Sequence, residues 1–268
     1  MIPEKTRLIY FSPTGTSRKI LEHIAQGMGR KTYSVLDITG EAVRNQPAPE
    51  LADELVLIGA PVYSGRVAPL AAAYFKQLKA NKVPAILVVL YGNREYEDAL
   101  VELGDICADC GICPLAAAAF IGEHSFSHEN CLIAPGRPDA DDLALAEKWG
   151  EKLGNMLEGV TAVDGDALEL PGNRPYREGK GAAPISAIQV SEACTGCGTC
   201  MDVCPVDGVD SDTFASVANV CIMCCACVRA CPENARSIAP GPFMDVAQWL
   251  HENFSARKEP EFFGCDPV

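Results

Sequence analysis

The sequence predicts a doubly wound α/β domain followed by a small α+β domain that is built around cysteines. Two observations support this prediction. Over residues 1–159, short apolar segments rich in strand-forming residues alternate with stretches whose apolar residues recur at helical spacing. Further along the chain, eight of the fourteen cysteines fall into two runs with the same spacing. At 268 residues the chain is long enough for two such domains.

Five segments of the first domain have the pattern of strands in a parallel sheet. Each is a near-continuous apolar run, as expected of strands covered on both faces. The segments span residues 8–11, 33–36, 55–58, 85–90 and 115–121. Because helical segments alternate with them, we predict a five-stranded, doubly wound parallel sheet with helices on both faces.

Amphipathic helices are predicted from apolar residues that recur every three or four positions. The four stripes are Ile20, Leu21, Ile24 and Met28; Val67, Leu70, Ala71, Tyr74 and Leu78; Tyr96, Ala99, Leu100 and Leu103; and Leu143, Ala146, Trp149, Leu153 and Met156. The segment between the second and third strands is too short and polar for a helix to be predicted. In a doubly wound sheet the ligand lies outside the carboxyl ends of the strands, near the topological switch point.

The loop at residues 12–17 follows the first strand and has the composition of a phosphate cradle. Hydroxyl groups, a glycine that allows close backbone approach and the free N–H groups of the next helix can all serve a phosphate. These residues are Ser12, Thr14, Gly15, Thr16 and Ser17. The loop lacks the Gly-Lys-Ser/Thr ending of a nucleotide P-loop, and the chain contains no G-x-G-x-x-G motif. A plain helix N-cap would use the same residue types.

Two further loops belong at the same sheet edge, after the third and fourth strands. Their candidate residues are Pro61, Val62, Tyr63, Ser64, Gly65 and Arg66, and then Tyr91, Gly92, Asn93, Arg94 and Tyr96. Together the three loops resemble those of the flavodoxin family, and the resemblance covers residues 1 to about 159. It implies bound FMN, with the phosphate in the first loop and the isoalloxazine ring at the other two.

The resemblance also implies roles for individual residues of these loops. Tyr63 and Tyr91 are expected to flank the flavin ring, since flat aromatic groups stack well on it. The peptide at 64–65 is expected to face flavin N5, where glycine permits a backbone flip. Arg66 and Arg94 depart from the acidic surroundings of many flavodoxins, and a cation there would stabilise reduced, anionic flavin. The alternatives are strand-end packing for the tyrosines and a solvated surface for the arginines.

A histidine-containing loop at residues 122–128 follows the fifth strand and therefore belongs at the same edge. His124 and His128 could take part in acid–base chemistry, because histidine titrates near neutral pH. The alternative for both is an ordinary surface position. We keep His124 as the candidate catalytic residue, in the role of proton donor.

The second domain is predicted from the run Cys194-x2-Cys197-x2-Cys200-x3-Cys204-Pro205, which recurs 27 residues later as Cys221-x2-Cys224-x2-Cys227-x3-Cys231-Pro232. This is the spacing of the two-cluster bacterial ferredoxins, which residues 184–240 resemble. In that family three closely spaced thiolates hold one [4Fe–4S] cluster and the fourth reaches the other cluster. The implied ligands are Cys194, Cys197, Cys200 and Cys231 for one cluster, and Cys221, Cys224, Cys227 and Cys204 for its twin. Zinc ribbons are the alternative, but they would leave the third and fourth cysteines of each run unused.

A third set of cysteines imitates the start of such a run. Cys107, Cys110 and Cys113 have the x2 spacing, with Cys131 as a fourth sulfur. The first three precede the fifth strand and Cys131 follows it, and a strand of about seven residues spans roughly 23 Å. We therefore expect partly buried thiols rather than a third metal site. Cys225, between two predicted ligands, is expected to be a small packing residue.

The remaining segments connect and close the two domains. Residues 160–183 are polar and rich in Gly and Pro, which predicts a linker or an extended wrap over the first domain. Within residues 241–268 we predict a short amphipathic helix that packs back on the body, followed by a polar tail with two aromatic anchors. The apolar stripe of this helix is Phe243, Val246, Ala247, Leu250 and Phe254.

The charge balance limits the classes of partner. With 36 acidic and 22 basic residues the formal charge is −14, which makes nucleic acid and anionic lipid poor partners and suits basic redox partners. No apolar run approaches the ~18 residues that span a membrane, and the first residues lack an apolar signal core. Cluster thiolates also require a reducing interior, so we expect a cytoplasmic protein.

The whole pattern resembles the flavodoxin–ferredoxin fusion proteins of anaerobic bacteria and archaea. That resemblance implies an electron-transfer protein that couples one-electron cluster chemistry to the one- or two-electron chemistry of FMN. One alternative is an FMN-dependent reductase of a small organic substrate, fed by its own clusters and protonated by His124. A second alternative is a redox sensor whose clusters gate partner binding. The composition does not decide whether the clusters serve FMN in the same chain or in a homodimer.

Overall fold

The computed structural model describes residues 2–160, 163, 168–177, 187–217 and 219–265. The linker predicted at 160–183 therefore lies partly outside the described residues. Among the helices in these ranges, none combines the length and the apolar character that crossing a bilayer requires.

The chain forms eleven described strands and eight described helices, most of them in the first domain. In chain order they are β1 (Thr6–Tyr10), α1 (Thr16–Gly27), β2 (Ser34–Asp37), α2 (Glu41–Arg44), β3 (Glu50–Leu51), β4 (Leu55–Tyr63), β5 (Arg66–Val67), α3 (Pro69–Phe75), β6 (Lys79–Ala80), β7 (Val83–Tyr91), α4 (Ala99–Asp109), β8 (Ile112–Ile121), α5 (Ala140–Glu158), β9 (Ile188–Val190), α6 (Thr199–Asp202), α7 (Ala226–Arg229), β10 (Arg236–Ile238), α8 (Pro242–Phe254) and β11 (Glu261–Phe263).

Five parallel strands, in the order β8-β7-β4-β1-β2, form the central sheet. The order reverses between β1 and β4, which makes this pair the topological switch point. The sheet contains all five strands predicted from the apolar runs, and the doubly wound α/β class is confirmed. The segment between β2 and β4 holds a single turn of helix, α2, where no helix is predicted.

Two apolar layers cover the sheet, one on each face. One layer lies against α3 and α4, with Phe75 and Leu103 fully buried in it. The other lies against α1 and α5, with Leu21 and Trp149 fully buried. Strand β7, at the centre of these layers, is buried at every position, which explains its uninterrupted apolar sequence.

The C-terminal tail adds an antiparallel strand to this parallel sheet. Strand β11 pairs with β8, with Phe262 opposite Ala118. The Phe262 ring lies 5.6 Å from that of Phe120 and 5.2 Å from that of Trp149, measured between centroids. The two predicted aromatic anchors are thus part of an edge strand, which the sequence analysis does not predict.

Helix α8 packs back on the body, as predicted, with Ala247 and Leu250 of its predicted stripe buried, although Val246 is exposed. The ring of Phe243 lies 5.6 Å from that of Phe126. The Nδ1 atom of His251 lies 2.8 Å from the carbonyl oxygen of Leu132. Beyond the helix, the Arg257 guanidinium lies 2.6 Å from the Asp139 carboxylate. The tail therefore connects the cysteine-rich domain back to the first.

The described part of the predicted linker runs along α4. The side chain of Leu170 lies over Gly104, one turn before the C-terminal end of the helix. The Asn173 N–H, further along the chain, donates to Asp98 at 2.8 Å, immediately before α4 begins. Because α4 is antiparallel to the strands, the segment at 168–177 runs toward their carboxyl edge.

The cysteine-rich domain repeats its backbone along with its sequence. Helices α6 and α7 are single turns, preceded by Gly198 at φ 80° and by Cys225 at φ 58°. These positions are 27 residues apart, as are Gly196 and Met223, which are also left-handed. The tight wrap around three sulfurs requires left-handed backbone in both copies, and only the first copy supplies glycine. Cys225 is therefore a helix-capping position as well as a buried one.

Candidate functional site

The loop at 12–17 forms a turn that leaves backbone donors free at the carboxyl end of β1. The Gly15 N–H donates to Ser12 O at 3.0 Å, and Gly15 has φ 78° with nothing within 4 Å of the position a Cβ would take. Ser12 Oγ accepts from the Arg18 N–H at 3.1 Å, so it caps α1. Within the described chain, no partner accepts from the N–H groups of Thr14 and Ser17.

The Ser17 hydroxyl fits an anionic ligand here. Its Oγ is buried and has no hydrogen-bond partner among the described residues. A buried hydroxyl without a partner is costly, so a ligand acceptor is expected. Open space above Gly15, free N–H groups and this hydroxyl together suit a phosphate such as that of FMN, whose position in this loop stays a prediction.

The second loop is a tight hairpin. β4 continues through Pro61 and Val62 to Tyr63, then turns at Ser64 (φ 52°) and Gly65 (φ 77°) into β5, with Val62 opposite Val67. Two positive φ values are typical of a type I′ turn. Ser64 is exposed at the sheet edge where the resemblance places the flavin ring, whereas Gly65 is buried against the Glu97 side chain.

Arg66 is held away from the turn by a carboxylate. Its Nε and terminal N–H groups donate to Glu102 at 2.8 Å and 2.6 Å, and its guanidinium lies 4.3 Å from the centre of the Tyr176 ring. The hydrogen bond and charge of Glu102, partly offset by burial, raise the pKa of Arg66. Its positive charge is therefore balanced locally, and the arginine secures α4 to the hairpin rather than adding a free cation beside the loop.

The tyrosines of the third loop are core residues in this fold. Tyr91 and Tyr96 are 3% and 5% exposed, and their ring centroids lie 5.3 Å apart. The Tyr96 hydroxyl donates to Glu261 of β11 at 2.8 Å. This burial matches the strand-end packing alternative for Tyr91. Of the two tyrosines expected beside a flavin ring, Tyr63 is the one only partly buried.

Asn93 links this loop to the tail. Its Nδ2 donates to the carbonyl oxygens of Phe254 and Ala256, at 2.5 and 2.8 Å, while its buried Oδ1 has no described partner. Its backbone is left-handed, at φ 66°. The next residue, Arg94, pairs with Glu97 at 2.7 Å, so its charge too is partly balanced.

His124 lies against Gly92 of the third loop, since a Cβ on that glycine would overlap its ring. Its Nδ1 accepts from the Phe126 N–H at 3.0 Å. Burial, followed by the charges of Arg229 and Arg94, lowers the pKa of His124 to about 4. The ring is therefore neutral near pH 7, and a neutral imidazole is a poor general acid.

The first cysteine run lines a hollow in the second domain. Its sulfur-bearing residues are Cys194, Cys197, Cys200 and Cys231. This is the three-plus-one set that the ferredoxin resemblance implies for one cluster. The Cys231 sulfur also accepts from the Ala235 N–H at 3.3 Å, a hydrogen bond of the kind that tunes cluster potentials.

The second run lines a matching hollow, whose wall includes Cys221, Cys224, Cys225 and Cys227 together with Cys204 of the first run. The Cys204 sulfur accepts from the Gly208 N–H at 3.2 Å, repeating the contact of Cys231. The crossing of the fourth cysteine thus occurs in both directions. The thiols around each hollow have the composition of a cluster site, and no three metal-binding side chains of the described chain converge on a single ion.

The second hollow adjoins the carboxyl edge of the parallel sheet, which is called the flavin edge below because the flavin is expected there. Ile222, which lines it, packs against the apolar layer that includes Phe11 and Ile58. Burial holds the pKa of Tyr63 well above its ordinary value, and the adjacent Cys224 and Cys225 raise it further. Tyr63, at the end of β4, and Ile222 of the second run thus pack against the same apolar layer.

Two arginines fasten this arrangement. Arg44 donates to the carbonyl oxygen of Pro205, next to Cys204. Arg229 pairs with Glu123 at 3.1 Å and donates to His124 O at 2.8 Å. The cysteine-rich domain thus reaches loops that follow β2 and β8. By contrast, Cys197 of the first run is exposed.

The remaining cysteines do not form a third set in this structure. Cys107 is buried on α4, and Cys110 donates from its sulfur to Phe75 O at 3.3 Å. Cys113 lies within β8, and the Cys131 sulfur lies 3.0 Å from Gln248 of α8. Partly buried thiols are what the sequence predicts at these positions.

Sequence reasoning does not single out Arg44, Arg229 or Arg236. One signal was present, because Arg229 and Arg236 are the two bases among residues 184–240, against six acids. Arg44 reaches Pro205 over 161 positions, Arg229 reaches Glu123 and His124 over 106 and 105, and Arg236 reaches Ser216 over 20, so no local pattern identifies them.

Comparison with protein families assigns both parts of the chain. Residues 7–102 match the model described as "Flavodoxin domain", and residues 186–237 match "4Fe-4S dicluster domain". No curated protein matches the sequence. A flavodoxin domain implies FMN, and a dicluster domain implies iron–sulfur clusters.

Solved structures similar to this chain include flavodoxins and larger flavoproteins. An archaeal flavodoxin is 12% identical, covering 57% of this chain and 99% of its own, with a TM-score of 0.38. Megasphaera elsdenii flavodoxin is 14% identical, covering 53% and 97%, with a TM-score of 0.35. Rubredoxin oxygen:oxidoreductase from Desulfovibrio gigas is 11% identical, covering 59% of this chain but 37% of that protein, with a TM-score of 0.40.

Proposed function

This chain is a fusion of a flavodoxin domain and a 4Fe-4S dicluster domain, and on that premise we propose that it carries electrons between two [4Fe–4S] clusters and FMN within one chain. The clusters would supply one-electron steps, and FMN accepts one or two electrons. The protein is an electron-transfer flavo-iron-sulfur protein; the coupling of its centres within one chain, in anaerobic metabolism, is our proposal.

The observation that carries this proposal is the contact between the second cysteine run and the flavin edge. Ile222, next to Cys221, packs against the same apolar layer of the first domain as Tyr63 of the hairpin, and Cys224 and Cys225 lie within electrostatic reach of Tyr63. A cluster held by Cys204, Cys221, Cys224 and Cys227 would therefore be the one next to FMN. The exposed Cys197 marks the other cluster as the one nearer to solvent and to a partner.

Several features favour a carrier over a reductase of a small substrate. Arg229 and Tyr63 bring the cysteine-rich domain onto the loops where such a substrate would sit. His124, the candidate proton donor, is neutral and already accepts a hydrogen bond on Nδ1. The acidic charge of −14 suits a basic redox protein as the exchange partner.

Metal and flavin content provide the first test. Anaerobically purified protein should hold about eight irons and eight sulfides with one FMN per chain, since each cluster is a four-iron cube. In Cys204→Ala, the cluster of Cys221, Cys224 and Cys227 should be lost in preference to its neighbour. A reconstituted protein with four irons would refute the two-cluster assignment.

Electron transfer within the chain is tested by loosening the domain contact. Arg44→Ala with Arg229→Ala removes the polar contacts of Pro205, Glu123 and His124. Rapid-mixing experiments with limiting reductant should show flavin reduction by the clusters slowed by about tenfold or more, with iron and FMN content unchanged. The control is Arg174→Ala, which breaks the ion pair between Arg174 of the linker and Asp105 of α4. Equal rates in both variants would contradict the proposed route.

Transfer between chains is tested by mixing two defective variants. One carries Cys194→Ser and Cys221→Ser, and the other carries Thr14→Ala and Thr16→Ala to weaken FMN binding. Transfer within one chain predicts that the mixture reduces no more flavin than the separate samples. Restored flavin reduction in mixed dimers would instead establish a homodimeric route.

A further inference from the structure

Arg236 is a buried arginine at the start of β10, paired across the strand with Val190. The residue is 4% exposed. One terminal N–H group donates to the carbonyl oxygen of Phe214, and the other to Ser216 Oγ at 2.8 Å. Both acceptors are neutral. These two bonds fix the guanidinium plane without balancing its charge.

The charge of this guanidinium has no protein counter-ion in the described part of the chain. No carboxylate there lies within 4.0 Å of it, unlike Arg66 and Arg137, which pair with Glu102 and Asp142. The Arg236 Nε is also buried without a hydrogen-bond partner. An unpaired buried cation is strongly unfavourable, so a bound anion that accepts from Nε is expected.

The position of Arg236 identifies where that anion lies. Arg236 lines the hollow of Cys194, Cys197 and Cys200. Cys227, which lines the other hollow, also lies within electrostatic reach of this guanidinium. One buried positive charge therefore adjoins both sets of thiolates.

The arginine is present in only one of the two copies of the internal repeat. Moving back 27 residues from Arg236 leads to Val209, which lines the hollow of the second run. Val209 is also buried, so the repeat position is apolar in one copy and cationic in the other. Neither the ligand spacing nor the packing requires a charge there, because the valine copy keeps both.

We propose that Arg236 sets the reduction potentials of the two clusters, by donating hydrogen bonds to sulfur and by compensating the negative charge that each cluster gains on reduction. The proposal rests on the two-cluster assignment made above. One electron enters a cluster from an external reductant, the guanidinium keeps its protons, and no bond of the protein breaks. Hydrogen bonds to sulfur and nearby positive charge both stabilise the reduced form.

The test compares potentials of anaerobic full-length variants by EPR-monitored redox titration. In Arg236→Met, which preserves length and removes charge, the reduced-to-oxidised ratio at fixed potential should fall at least tenfold for one or both clusters. That is about 59 mV for a one-electron couple. Arg236→Lys keeps the charge and should show a smaller shift. Arg229→Gln is the matched control, because it removes an exposed charge already paired with Glu123.

A second measurement uses the unmodified protein and does not depend on folding of a variant. Arginine labelled with ¹⁵N in the guanidinium group should give a hyperfine coupling to a reduced cluster in pulsed EPR. No such coupling, or equal potentials in Arg236→Met and Arg229→Gln, would overturn the proposal. An iron content of four would instead refute the two-cluster assignment, so the two failures can be distinguished.

Discussion

The two domains of this protein are held together in different ways. The first has strands of up to ten residues and an apolar layer on each face of its sheet. In the second, each described strand is three residues long and each described helix four. Its apolar cluster has seven buried members, of which Cys200, Cys225 and Cys227 are cysteines. Two of the predicted cluster ligands, Cys200 and Cys227, are thus also part of this core.

This difference explains why cofactor binding and folding are linked so differently in the two domains. The phosphate loop of the first domain is attached to a sheet that is complete without FMN. In the second domain, left-handed backbone at residues such as Met223 and Cys225 costs free energy, and the apolar cluster that could offset this cost is small. Metal binding there contributes directly to folding free energy. The predictions below test this contrast.

Removal of iron should have the largest effect, and it should affect the cysteine-rich domain alone. After anaerobic chelation, we expect amide hydrogens of residues 187–240 to lose protection from exchange, because little apolar core remains. Strands β1, β4 and β7 should stay protected. Hydrogen exchange with mass spectrometry gives the measurement. Persistent protection across 187–240 would show that the short elements fold without metal.

A core truncation should have the opposite pattern. Leu57 is fully buried in the layer facing α1 and α5, and Leu57→Ala should lower the free energy of unfolding of the first domain by about 2–5 kcal/mol. Iron content should be unchanged, because the apolar layer that contains Leu57 includes no residue of the cysteine-rich domain. Urea unfolding followed by tryptophan and cluster absorbance separates the domains. Loss of iron in parallel would mean that the two fold as one unit.

Weakening the phosphate loop should affect the cofactor but not the fold. Thr14→Ala with Thr16→Ala removes two hydroxyl donors, each worth about 1.5–3 kcal/mol when bonded to a charged group. FMN affinity should fall tens-fold or more, measured by fluorescence quenching, at an unchanged unfolding midpoint. Ser34→Ala, on the edge strand β2, is a suitable control. Unchanged affinity would place the phosphate elsewhere.

The smallest expected effect is a pH dependence at the junction of the domains. Because the pKa of His124 is lowered to about 4 from 6.5, the unfolded chain takes up a proton first as pH falls. Above about pH 6.5 His124 is neutral in both states and the free energy of unfolding keeps its full value. As pH falls from 6.5 to 4, protonation of the unfolded chain lowers that free energy. His124→Gln should flatten the change in urea midpoint between pH 7 and pH 5. Identical slopes in both proteins would exclude His124 as the cause.

Local spacing was sufficient for much of the fold and of the candidate site. The x2 and x3 spacings of the cysteines, the apolar runs of β4 and β7, and the hydroxyl-rich loop at 12–17 each act within about a dozen residues. Their structural consequences follow from backbone geometry over that range. For this reason the doubly wound sheet, the dicluster domain and the phosphate loop could be predicted.

Contacts between distant segments were decided only by the tertiary structure. Strand β11 is too short for its pattern to distinguish a strand from a tail, and it forms because β8 offers an unpaired edge. Arg66 looked like a free cation because Glu102, its partner, lies 36 positions away. Tyr91 looked accessible, although the layers around β7 bury it.

The sequence by itself determined the two domain types and the cysteines that could hold each cluster, because these depend on residues that are neighbours along the chain. Only the tertiary structure decided which cysteine run adjoins the flavin edge, and that Arg236 is buried between both runs. Burial and charge compensation depend on what surrounds a side chain in three dimensions. A lone arginine in an acidic segment carries no sign of either until the chain has folded around it.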